Sequence, residues 1–83
     1  MHQFLPEIGQ NLATARKKRF PHDDLSAFAL RIEVARSTYQ KMEKGDLSVS
    51  MAAYYRAARI LGLETAFMQL FTLPMSEQWF NDN

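Results

Sequence analysis

The chain has 83 residues, 47% of them hydrophobic and 23% charged, and no cysteine. That is one small globular domain rather than two, and it excludes disulfide frameworks, cysteine-ligated zinc and thiol catalysis. The formal net charge is only +1, yet all ten Lys and Arg fall between Arg16 and Arg59 while Glu7, Glu64, Glu77 and Asp82 flank them, an arrangement suited to an anionic partner.

No apolar run approaches the roughly 20 residues that span a bilayer, so no membrane contact is expected. The start, Met1-His2-Gln3-Phe4-Leu5, lacks the basic and long apolar regions of a secretory signal, and a cysteine-free chain suits the cytoplasm. Pro21, Gly45, Gly62 and Pro74 divide the chain into pieces with helical rather than alternating periodicity. Helix one is predicted from Pro6 to Arg19. Pro6 suits the first helical position, Glu7 the positive end, and Arg16 to Arg19 the negative end. Ile8, Leu12 and Ala15 share its inward face. Helix two follows a cap at Asp23 or Asp24, with Leu25, Phe28, Ala29 and Ile32 as its stripe. Helix three spans residues 35–44 with Tyr39 and Met42 inward, Val34 before it and Gly45 ending it. Helix four runs from a Ser50 cap to Leu61, with Met51, Tyr54, Tyr55, Ala58 and Leu61 as its apolar face and Gly62 as its stop. Helix five covers residues 64–72 and carries Phe67, Met68, Leu70 and Phe71.

The expected class is therefore all-α, a five-helix bundle over residues 1–73 with a tail at 74–83. Helices this short are marginal alone and must share a core. The candidates are Ile8, Leu12, Ala15, Phe28, Ala29, Ile32, Val34, Tyr39, Met42, Tyr54, Ala58, Leu61 and Phe67.

The stretch from Phe28 to Glu43 carries the most information. Two short helices meet at a turn near Glu33, with small Ala29 at their crossing and apolar residues on either side, as a helix-turn-helix requires. On helix three, Arg36, Ser37, Gln40 and Lys41 lie at i, i+1, i+4 and i+5, a stripe roughly opposite Tyr39 and Met42. Arg and Lys donate to guanine, Gln pairs with adenine and Ser with either. The competing reading is a plain solvated helix face.

Residues 8–71 resemble the helix-turn-helix domain of the phage-repressor and Cro type, the XRE family. The resemblance rests on Ile8-Gly9 with Leu12 to Arg16, on Ala29, on Val34-Ala35-Arg36-Ser37-Thr38-Tyr39, and on Met42-Glu43-Lys44-Gly45. It extends through Ser48-Val49-Ser50-Met51 to Tyr54, Ala58, Leu61, Gly62 and Leu63. It implies a phage-repressor-like bundle that reads double-stranded DNA, commonly as a twofold dimer. It further implies a structural pair between Arg16 and Glu43, and phosphate contacts from Lys44 and from Gly45 to Ser48. Lys17 and Lys18 are further candidates for phosphate contact. Three departures stand out. Glu33 occupies a turn position where the family often has glycine, so a differently shaped turn is expected. The link from Phe20 to Asp24 is about two residues longer than usual. Leu25 replaces a phosphate-holding glutamine, with Asp23 and Asp24 nearby to repel a phosphate.

Catalysis finds no support. His2 and His22 stand beside no motif, and three glycines build no phosphate-cradling loop. His22, Asp23 and Asp24 read as a cap and turn rather than a metal site, so no metal or other cofactor is expected. Trp79-Phe80-Asn81 echoes a homeodomain helix but lacks its basic residues. Phe67, Leu70, Phe71, Trp79 and Phe80 exceed what one small helix needs to bury. They either fold back on the core or form a dimer or partner contact.

Two functions follow as expectations. The first is a sequence-specific transcriptional regulator that acts as a repressor or touches polymerase. The second is a protein-binding antitoxin or accessory subunit, since the fourth-helix pattern resembles small regulators found beside kinase toxins.

Overall fold

The computed structural model describes residues 3–74 as five helices: α1 (Pro6–Arg19), α2 (Leu25–Arg31), α3 (Arg36–Met42), α4 (Met51–Ile60) and α5 (Glu64–Met68). Among the described residues the class is all-α, and the extended contact is an isolated antiparallel bridge between Phe4 and Asp46. No helix among them is long and apolar enough to cross a membrane. Among the described residues, eight form the core: Phe28, Ala29 and Ile32 around α2, Tyr39 and Met42 of α3, and Ala53, Ala57 and Leu61 around α4. Phe20, Phe28 and Tyr39 make a run of ring contacts, with centroids 5.8 and 5.0 Å apart.

α1 starts at Pro6, whose missing N–H costs nothing at a first helical position. Its rotation differs from the expected one. Gly9 and Arg16 are buried and Leu12 and Ala15 half-buried, while Ile8 is 41% exposed and leaves the predicted core. The cause is a close backbone approach. A Cβ at Gly9 would collide with the carbonyl of Glu43 and the amide of Gly45. Only glycine fits there, and seating it against the exit of α3 rolls Ile8 outward. The segment before α1 adds a clip, with the Leu5 amide donating to the Gly45 carbonyl (2.8 Å) and the Leu47 amide to the Gln3 carbonyl (2.6 Å).

Of the two candidate caps for α2, Asp24 does the work: its carboxylate accepts from the Ala27 amide at 2.8 Å. Asp23 instead pairs with Arg31 at 2.5 Å, and that guanidinium lies 3.9 Å from the Phe20 ring centre. The turn into α3 keeps its tight form despite Glu33, which adopts the left-handed conformation at φ 62°. This costs about 1–2 kcal/mol for a residue with a Cβ. The Glu33 amide still donates to Leu30 and the Val34 amide to Ala29. α3 is shorter than predicted, with Ala35 and Glu43 as its caps. Lys44 and Gly45 belong to the exit turn.

Ser50 caps α4, accepting from the Ala53 amide at 3.1 Å. The inward line of α4 is Ala53, Ala57 and Leu61, while Tyr54, Tyr55 and Ala58 are half-buried and Met51 is 59% exposed. Small residues let α4 sit close to the rest of the core, which displaces its tyrosines to the flanks. α4 ends at Ile60, and α5 stops at Met68 rather than at residue 72. No α5 residue is fully buried; Phe67 is half-buried, its ring 5.4 Å from that of Tyr55.

Candidate nucleic-acid interface

The two sides of α3 have separate roles. Tyr39 and Met42 are wholly buried, and Met42→Ala should cost about 2–5 kcal/mol. Arg36, Ser37, Gln40 and Lys41 are all exposed on the other side, and Lys44 is exposed just beyond the helix. The side chains of Arg36, Ser37 and Gln40 make no hydrogen bond, ion pair or ring contact with another described residue. The stripe thus presents two guanidinium or ammonium groups, an amide and a hydroxyl to solvent.

The exit of α3 is fixed by contacts from other elements. Arg16 Nε donates to Glu43 Oε2 at 2.7 Å and Nη2 to Oε1 at 3.4 Å. Arg16 Nη1 also reaches the Asp23 carbonyl at 2.8 Å, and the Tyr39 hydroxyl donates to Glu43 Oε2. The expected Arg16 and Glu43 pair is therefore formed, and it belongs to a larger cluster that ties α1, the α2 entry and α3 together. The Glu43 hydrogen bond raises the Arg16 pKa above its usual value, against the opposing effect of burial. Burial first, then the bond to Glu43, pushes the Tyr39 phenol far above its ordinary value. At the end of α2, Arg56 Nε donates to the Ile32 carbonyl at 2.9 Å, satisfying an acceptor that this helix leaves open. The sequence reading missed Arg56. Its signal was an arginine at a half-buried position of α4, next to the core residue Ala57.

The phosphate candidates separate. Lys44 and Lys17 are exposed. Gly45 is buried, and its amide donates to the Met42 carbonyl at 2.9 Å, so it has no donor to offer a phosphate. Its φ of 75° and its contact with Leu5, which leaves no room for a Cβ, give it a structural role instead. The hydroxyl and amide of Ser48 both donate to Asp46 Oδ1, at 2.7 and 2.8 Å. Those two donors, ahead of the field of Lys41, hold the Asp46 carboxyl below the usual range. Lys18 borders a shallow groove with Ala15, Arg19, Leu61 and Leu63, none of them on α3. Near the start of α2, Asp23 is already paired with Arg31 and Asp24 is committed to the helix cap, which reduces the repulsion expected from them.

A second groove, of about 370 Å³, runs between α3 and the start of α4 and is bordered by Ala35, Thr38, Lys41, Ser50 and Arg56 among others. Of the expected partner contacts, Leu70 is 46% and Phe71 93% exposed, and Phe67 rests on Tyr55. Trp79 and Phe80 lie outside the described residues, as does the tail beyond Pro74. No group of three or more metal-ligating side chains occurs among the described residues. No family model, curated protein or solved structure matches this chain.

Proposed function

We propose that this chain is a sequence-specific DNA-binding regulator of the phage-repressor type, with α2 and α3 as its helix-turn-helix. The observation that carries the reading is the exposed stripe of Arg36, Ser37 and Gln40, with Lys41 at its edge, on a helix anchored at its exit by Arg16. A reader of base edges needs such side chains held in register by a rigid scaffold. Arg36, Ser37 and Gln40 contact bases in the major groove, and Lys44 holds a phosphate. Two copies bind half-sites about one helical turn apart.

Selection from a random duplex pool at near-physiological salt tests this reading, and an enriched inverted repeat is the expected result. On that site Arg36→Ala weakens binding by about 1–3 kcal/mol and relaxes preference at one base. Lys44→Ala weakens all sequences alike and lowers the salt slope by about one unit. A pool without enrichment, or equal loss on every duplex for Arg36→Ala, refutes the assignment.

The exposed run of Met68, Leu70 and Phe71 favours a second reading, a protein-binding antitoxin or accessory subunit. Deleting residues 74–83 distinguishes the two. Loss of a co-purifying protein with DNA binding intact supports the second.

A further inference from the structure

The groove between α3 and α4 contains two cationic side chains and no acidic one. Lys41 borders it from α3 and Arg56 from α4, with the Thr38 and Ser50 hydroxyls beside them. Arg56 is tethered through Nε to the Ile32 carbonyl, and neither of its Nη groups has a partner among the described residues. A guanidinium held by one nitrogen keeps its remaining N–H groups in a fixed plane, ready for an oxyanion. Asp46, whose carboxylate feels the field of Lys41, already accepts the hydroxyl and amide of Ser48. It therefore competes only partly for Lys41.

We infer that this groove is a phosphate-binding site in which Arg56 and Lys41 grip one phosphodiester of bound duplex. This assigns Lys41 to the backbone rather than to a base edge, and it rests on the DNA-binding reading above. Arg56 is also a positioning residue. Its Nε holds the last carbonyl before the Glu33 turn, so a phosphate seated on its Nη groups steadies the end of α2 and the turn that follows it. The volume of about 370 Å³ admits a phosphate with room for bridging water.

The test uses the full chain and three probes: a selected duplex, an unrelated duplex and inorganic phosphate. Lys41→Ala and Arg56→Ala should each weaken both duplexes by the same factor and lower the slope of log K against log salt by about one unit. Arg56→Lys retains a charge but loses the planar fork, so it should keep the salt slope and recover the affinity only in part. Should Arg56→Ala fail to fold, Lys41→Gln carries the same comparison. Inorganic phosphate should shift the amide resonances of Thr38, Lys41 and Ser50 ahead of those of Arg36 and Gln40. If duplex binding depends on Arg36 while Lys41→Ala leaves the salt slope unchanged, the groove assignment is overturned and the DNA-binding reading stands. If phosphate shifts the groove but no duplex binds, the site serves free phosphate; the duplex assignment and the DNA-binding reading then both fail.

Discussion

Replacing Glu43 by Gln keeps the shape of the side chain and removes its charge. In the parent, this carboxylate accepts from Arg16 Nε and Nη2 and from the Tyr39 hydroxyl. The Arg16 and Glu43 side chains are only 9% and 15% exposed, so water cannot take the place of the lost partner. Breaking one side of such a pair costs about 3–5 kcal/mol. Arg16 retains the Asp23 carbonyl and the amide oxygen remains an acceptor, which puts Glu43→Gln below that range, at about 2–3 kcal/mol. A chain of this length has a total stability of about 4–12 kcal/mol, so the loss is a large share of it. Urea unfolding at pH 7, followed by helical circular dichroism, reads it directly. With an m-value near 1 kcal/mol/M the midpoint falls by about 2–3 M. Replacing the pair together with apolar residues of similar volume should recover most of the loss. A Glu43→Gln protein within about 0.5 kcal/mol of the parent would refute the view that this cluster anchors the exit of α3.

Gly9→Ala places a methyl group against the backbone of Glu43 and Gly45, and overpacking of this kind costs about 1–3 kcal/mol, visible as a lower thermal midpoint. Glu33→Gly relieves the left-handed strain and should raise stability by about 0.5–1 kcal/mol in the same assay; a loss would show that the Glu33 side chain contributes more than its backbone costs. The raised Tyr39 pKa sets an alkaline limit. The folded form keeps a proton that the unfolded chain releases near pH 10, so this contribution is complete below pH 10 and fades above it. Stability measured above pH 10 should fall by about 1.4 kcal/mol per pH unit from this one group, and Tyr39→Phe should remove that share of the slope.

Where caps and apolar spacing agree, the sequence was readable. Asp24, Ser50 and Gly45 mark helix boundaries, and Phe28, Ile32, Tyr39 and Met42 were recognised as core because each lies on a clear apolar stripe. Hydropathy misled on α1, where Ile8 looked inward and Gly9 is. A close backbone approach outranks a methyl-rich side chain, and spacing alone does not reveal such an approach. It misled again on α4, where Ala53 and Ala57 bury because they are small, and Tyr54 turns its hydroxyl to the Asp46 carbonyl. Arg56 and the Asp23 to Arg31 pair were illegible for another reason. Each joins residues that become neighbours only after the chain has folded, and neither follows a local period.

The division of α3 into an anchored side and an idle one has an evolutionary consequence. Positions 36, 37 and 40 are exposed and make no hydrogen bond, ion pair or ring contact with another described residue, so their identities can drift at little energetic risk. A library randomised at these three sites should give mostly well-folded members. Such a scaffold can change its target a residue at a time while its melting behaviour stays nearly constant.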